Sequence, residues 1–204
     1  MVDQQGIAEL SMRKLGAKLG INGVSLYYHF ASKTAIVDGL VALIMSEVDL
    51  APNETEWSER LARIHRSQRA VLVSHPNLLP VAIMRPFNTP EAVRVTDTVL
   101  ATMLGAGFDE ESALYGFQTL RAYVVGHALS ETVGLLADPP SWENRERMTV
   151  QEFGDHNFRN VLRVVPQAAV ADNEKSFIVG LESILDGLRD RLAEMQRPAQ
   201  RQAN

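Results

Sequence analysis

Tyr27, Tyr28 and His29 stand consecutively in a stretch, Leu10 to Lys33, that also holds Arg13, Lys14, Lys18 and Lys33 and no acidic residue. Phenol and imidazole groups hydrogen-bond phosphate oxygens or pack against sugar and base edges, and cationic side chains gain affinity by releasing counterions from a polyanion. The chemistry such a set supports is recognition of nucleic acid rather than bond making. The whole chain carries a formal charge of -5, so the positive potential is local. The sequence holds no Gly-rich phosphate loop, no His pair at metal-ligand spacing, no Gly-x-Ser-x-Gly elbow and no cysteine. His65, His75, His127 and His156 would meet at a metal only by tertiary convergence, so neither a metal nor a cofactor is expected, and the chain is not read as an enzyme.

The ring cluster needs elements to present it. Ser11 is a good N-cap for a helix of about two turns, on which Leu10, Leu15 and Leu19 share an apolar face away from Arg13, Lys14 and Lys18. Gly20 can supply the left-handed conformation that ends this helix, and Asn22-Gly23 suits a tight turn into a second helix holding Val24, Leu26, Tyr27 and Phe30. Phe30 is expected in the core of this small unit. Two helices joined by so short a glycine-bearing turn predict a helix-turn-helix.

The run Leu-Ser-Met-Arg-Lys-Leu-Gly-Ala-Lys-Leu-Gly, followed by Ser-Leu-Tyr-Tyr-His-Phe-Ala-Ser-Lys, resembles the DNA-binding signature of TetR-family transcriptional regulators. Beyond it, His75-Pro76, the Tyr123 to Ala128 stretch with Gly126, and the Phe177 to Leu188 ending resemble the tetracycline-repressor-like C-terminal class. The resemblance implies that Arg13 and Asn22, Gly23, Val24 and Ser25 face bases, while Tyr27, Tyr28, His29 and Lys33 hold phosphates. A TetR-type domain begins with a full helix before these two. Only Met1 to Gly6 precede Ile7, so that helix is expected to be truncated to about a turn.

Glycine and proline punctuate helix ends rather than short, regularly spaced strands, which favours an all-α chain. A helix capped by Ser32 is predicted from Lys33 to about Leu50, carrying Ile36, Val37, Leu40, Leu43, Ile44 and Val48 inward and joining two domains. The break at Ala51-Pro52-Asn53 divides an N-terminal helix-turn-helix DNA-binding domain, 1–50, from a larger helical-bundle ligand-binding and dimerisation domain, 51–204. In the second domain, helices are predicted over Glu56 to Ser74, from Thr89-Pro90-Glu91 to Gly105, from Asp109 to about Leu136, and from Asp172 or Asn173 to about Met195. Arg60, Arg63, Arg66 and Arg69 are expected on a solvated face of the first, offset by Glu54, Glu56 and Glu59. Gly116 and Gly126 inside the Asp109 helix call for close approach of a helix or ligand. The segment Ala137 to Ala171 has the least regular pattern.

At 204 residues and 46% hydrophobic content the chain can hold one small and one larger domain with a real core. Ligand sites in helical bundles are mostly apolar with a few polar groups. Met84, Phe87, Tyr115 and Tyr123 are candidate walls together with Trp142, and Gln118, Arg121 and His127 are candidate polar anchors. Phe177, Leu181, Ile184, Leu185, Leu188 and Leu192 form a nearly heptad stripe, which serves either intrachain core or a four-helix dimer interface; the dimer is preferred, because two reading helices read two half-sites. No apolar run reaches a membrane span, and no export signal is evident, so a cytoplasmic protein is expected. The expected function is that of a homodimeric, ligand-responsive transcriptional regulator, a repressor that leaves a palindromic double-stranded DNA operator when an unidentified small-molecule effector binds. The alternative is a small-molecule-binding dimer with a vestigial DNA-binding unit.

Overall fold

Side-chain caps set where the helices begin. In a computed structural model of the chain, residues 1–84, 88–132, 160, 163–164, 167 and 172–202 are described, the last five without their side chains. Ser11, Ser32 and Thr89 each accept the N–H three residues on, from Lys14, Ala35 and Ala92, satisfying donors that have no partner inside the helix. The helices that follow are α2 (Met12–Leu19), α3 (Lys33–Ser46) and α6 (Pro90–Ala106), with α1 (Val2–Gln5) a single turn before them. Glu56 caps α4 (Trp57–Ser74), the short α5 (Leu79–Met84) follows, and Asp109 and Asp172 accept first-turn N–H groups of α7 (Glu110–Thr132) and α8 (Asn173–Gln202). No strand occurs among the described residues, so the architecture is all-α as expected.

Two bodies of core are continuous through α3. Leu10, Met12, Leu26, Ile36 and Val37 close the small N-terminal unit, and Val41, Ile44 and Met45, further along the same helix, are buried against the larger bundle. That bundle centres on Leu61 and Ile64 of α4, Leu120 and Val124 of α7, and Leu181 and Leu185 of α8, each exposed by no more than 0%. At about 1.5–3 kcal/mol for each large apolar side chain buried, these contacts and not the caps hold the helices together.

Several expectations change. Leu19 and Leu43 are 58% and 59% exposed. The inward face of α2 is Met12 and Gly16, because the turn beyond it crosses at Gly16, and Leu43 sits about 100° round α3 from the buried Ile44. Phe30 is 36% exposed, flanking α3 near Gly39 rather than filling the small core. The helix from Lys33 stops at Ser46, and Ala51, buried with φ 47°, makes the turn into α4. Of the α4 arginines, Arg63 and Arg66 are exposed as expected of a solvated face, pairing at 2.9 Å with Asp49 and with Glu182 on α8, whereas Arg69 is largely buried and pairs at 2.8 Å with Glu131 on α7.

The Phe177 to Leu192 stripe faces the chain's own α4 and α7, so its leucines are intrachain core and not an interface. Gly116 packs closely against the side chains of Met103 and Leu188, since a Cβ there would lie 2.3 Å from the flexible Met103 terminus, whereas one at Gly126 would meet nothing within 4 Å. The helix α8 continues past Met195 to Gln202. Expectations for Phe87, Trp142 and His156 lie outside the described residues.

Candidate nucleic-acid interface and ligand cleft

The N-terminal unit presents its rings by packing two backbones together. A Cβ on Gly16 would lie 2.7 Å from the Gly23 nitrogen, and one on Gly23 would lie 3.0 Å from the Met12 carbonyl oxygen, so α2 and the turn meet at a distance only glycine allows. Gly20 takes the left-handed conformation, φ 71°, and its N–H bonds back to α2. Asn22 then shapes the turn itself: its Oδ1 accepts the Val24 N–H at 3.0 Å and its carbonyl accepts the Ser25 N–H at 2.8 Å.

The expected second helix is a single 3-10 turn, Ser25–Tyr28, anchored by the buried Leu26. Tight winding throws its other side chains outward. Val24, Tyr27 and Tyr28 are 64%, 56% and 88% exposed, and Arg13, Asn22, His29 and Lys33 are exposed beside them; Gly23 and Ser25 are half-buried. Most of the residues expected to read bases and all of those expected to hold phosphates are thus exposed. Lys14, counted in the positive patch, is tied to Glu9 by an ion pair, while Arg13, Lys18 and Lys33 make no ion pair among the described residues.

In the larger bundle, α3, α4, α5, α6 and α7 line a narrow cleft with a volume of about 40 Å³. Its walls include Val41 and Met45 from α3, His65 and Leu72 from α4, Val99 from α6 and Phe117 from α7. Among the residues expected to line a ligand site, Arg121 is in this cleft. Tyr115 is 52% exposed on the outer face, its hydroxyl donating to Glu111, and Gln118 is also exposed. Tyr123 and His127 face α8, where both rings pack on Phe177 at centroid distances of 5.3 and 5.1 Å. Met84 is 81% exposed and borders an outer groove with Ile7, Lys33 and Val37. The reason is angular: Phe117, Arg121 and Val125 recur every four residues on one face of α7, whereas Tyr115, Gln118, Tyr123 and His127 fall on others.

The cleft's α4 and α6 residues were not anticipated. His65, Gln68 and Leu72 follow a three-then-four spacing, as do Ala92, Val95 and Val99, and a polar residue inside such an apolar stripe was the signal available. His65 is fully buried, and burial lowers its pKa to about 4 against a weaker upward pull from its hydrogen bond. Its Nδ1 lies 2.6 Å from the Leu61 carbonyl oxygen. A carbonyl only accepts, so Nδ1 carries the proton and Nε2 is left as an acceptor. Burial first and then Arg69 lower the His127 pKa from its ordinary value, against an upward pull from Glu131. Neither of its ring nitrogens has a hydrogen-bond partner among the described residues. No group of three or more His, Asp or Glu positioned to hold a metal occurs among the described residues, and no described helix is long and apolar enough to cross a membrane.

Two family descriptions match the chain: "Bacterial regulatory proteins, tetR family" over residues 1–40 and "Tetracyclin repressor-like, C-terminal domain" over residues 51–192. The chain is 31% identical over 135 residues to an HTH-type transcriptional regulator of Saccharopolyspora erythraea, a match covering 65% of this chain and 57% of that one. It is 27% identical over 202 residues to the tetracycline repressor protein class D of Escherichia coli, covering 96% and 87%. The Streptomyces coelicolor protein ActR, solved in complex with (S)-DNPA, superposes with a TM-score of 0.71 at 25% identity, covering 92% of this chain and 90% of that one.

Proposed function

The chain belongs to the TetR family of bacterial regulatory proteins, and on that premise we propose that it is a ligand-responsive, DNA-binding transcriptional repressor. Residues 1–50 form its DNA-binding domain and 51–204 its ligand-binding and dimerisation domain, a division supported by the separate matches at 1–40 and 51–192. The observation that carries the reading is that one helix serves both sites. At its start α3 bears the exposed Lys33, five residues on from Tyr28, and about 12 Å along the same rigid rod Val41 begins the part of the helix that, with Met45, forms a wall of the cleft. A ligand that pushes on Val41 and Met45 tilts the surface that carries Lys33.

Arg13 and Asn22 to Ser25 read base edges, and Tyr27, Tyr28, His29 and Lys33 hold phosphates. The protein acts as a homodimer in the bacterial cytoplasm, because two copies read a palindrome in which half-sites lie about 34 Å apart. The face that suits the second copy is built from Thr119, Ala122 and Gly126 on α7 with Val179, Ser183 and Gly187 on α8. These side chains are small and mostly exposed, and the hydroxyls of Thr119 and Ser183 are taken by their own helices. An effector in the cleft favours an arrangement whose reading turns no longer match that spacing.

The experiment is selection of the chain against a random duplex library, followed by the salt dependence of the winner's affinity. A palindromic winner whose affinity falls steeply with salt is expected. The single 3-10 turn at Ser25–Tyr28 favours one other reading, a ligand-binding dimer with a vestigial DNA unit. Absence of any enriched duplex would select it.

A further inference from the structure

The cleft has unequal walls. Val41, Val95, Val99 and Phe117 make most of its surface apolar, and three polar side chains enter with free capacity: His65, Gln68 and Arg121. The hydroxyl of Thr96 is spent on the Ala92 carbonyl. His65 is neutral with Nδ1 committed to Leu61, so its remaining nitrogen accepts and cannot supply positive charge.

Arg121 is the exception. It is half-buried, and the hydrogen bond it makes among the described residues is a long one, Nη2 to the Ile83 carbonyl oxygen at 3.3 Å. No carboxylate among the described residues pairs with it, in contrast to Arg69 on the neighbouring α4, which is bidentate to Glu131. A guanidinium offers five N–H donors and a permanent charge. In an apolar cleft, such a group with one long carbonyl contact is a seat for an anion.

Resting on the reading of this cleft as the effector site, we propose that the effector is an organic anion. It has an apolar body lying on Val95, Val99 and Phe117, an acidic head group seated on Arg121, and a hydroxyl or N–H that donates to His65 Nε2. A cation would find no carboxylate partner among the described lining residues of the cleft. The head group also competes for the hold that Arg121 has on Ile83, the penultimate residue of α5, and so reports occupancy to the elements beneath α3.

Two fluorescent probes of similar shape test this: the anion 1-anilinonaphthalene-8-sulfonate and its uncharged parent N-phenyl-1-naphthylamine. The wild type is expected to bind the anion at least about tenfold more tightly, a difference of about 1.4 kcal/mol. Arg121→Gln should erase that preference and leave the neutral probe unchanged, with Arg121→Lys recovering part of it. Equal affinities in the wild type, or a preference that survives Arg121→Gln, would overturn the anion proposal while leaving the cleft as a ligand site. Failure of the cleft reading is seen separately with Val125→Trp, which fills the cleft. Loss of both probes supports the site, and unchanged binding of both overturns the site and the proposal together.

Discussion

Arg69 and Glu131, 62 residues apart, are joined by three hydrogen bonds of 2.8 to 3.1 Å while their side chains are only 12% and 15% exposed. The guanidinium also lies over the Phe177 ring, 5.2 Å from its centroid, so one group ties α4 to α7 and α8. Removing one member of such a pair leaves the other charge buried, at a cost of about 3–5 kcal/mol, whereas replacing both by apolar groups can be near neutral. Arg69→Met should therefore lower the chemical-denaturation midpoint sharply, and adding Glu131→Leu should recover most of the loss. A double variant no more stable than the single one would show that the pair itself, and not the stranded carboxylate, carries the effect.

His75 Nδ1 lies 3.2 Å from both carboxylate oxygens of Asp3, and its Nε2 lies 3.4 Å from Glu47, so the joint between α4 and α5 clasps the N-terminal unit at α1 and at the end of α3. Burial alone would lower the His75 pKa, but the hydrogen bonds to Asp3 and Glu47 outweigh it and the net shift is upward from 6.5. A base whose pKa is raised by folding contributes stability that is full below its unfolded value and is lost as pH rises through the folded one. Thermal unfolding should show the wild type losing stability relative to His75→Gln as pH climbs from about 6 to above the raised folded value. Parallel curves would exclude the clasp.

His65 gives the opposite limb. Its folded pKa is depressed to about 4 from 6.5, so it contributes stability that falls as pH drops below 6.5 and is gone at about 4. In His65→Phe the acid-side decline between those values should flatten, and the stability lost relative to neutral pH should differ most between the two chains at about pH 4 and below. An undiminished decline would mean that other groups set the acid limit.

His127 has no hydrogen-bond partner on either ring nitrogen among the described residues, and a buried unsatisfied polar group costs about 1–3 kcal/mol. His127→Leu should raise the melting temperature. A fall would mean that the ring is hydrogen-bonded in solution.

Gly126 and Gly187 are exposed, and a Cβ at either would meet nothing within 4 Å inside one chain. Gly187→Glu should leave the subunit folded, with helicity retained, and shift the mass in light scattering from dimer to monomer. Leu185→Glu should instead unfold the subunit, because Leu185 is 0% exposed within the single chain. A Gly187→Glu chain that remains dimeric would move the interface elsewhere.

Much of the DNA-reading unit was legible in the sequence because its signals are local. A serine cap and the N–H it satisfies are three residues apart, Gly20 ends α2 through its own φ, and Asn22 shapes its own turn. The rings of Tyr27 and Tyr28 are exposed as a short turn of that kind demands. The sequence by itself thus determined the all-α class, most helix starts and the surface carrying the cationic and aromatic cluster. The tertiary structure alone decided which face of each helix meets which. The helix α7 is apolar on nearly every side, so its periodicity does not separate the face with Arg121, toward the cleft, from the face with His127, toward α8, or from that with Gly126, left open. The leucines of α8 suit a partner's helices and the chain's own equally well, and apolar attraction has no direction that would choose between them. That choice, like the meeting of His65 and Arg121 in one cleft, follows from packing between segments dozens of residues apart, which no local spacing encodes.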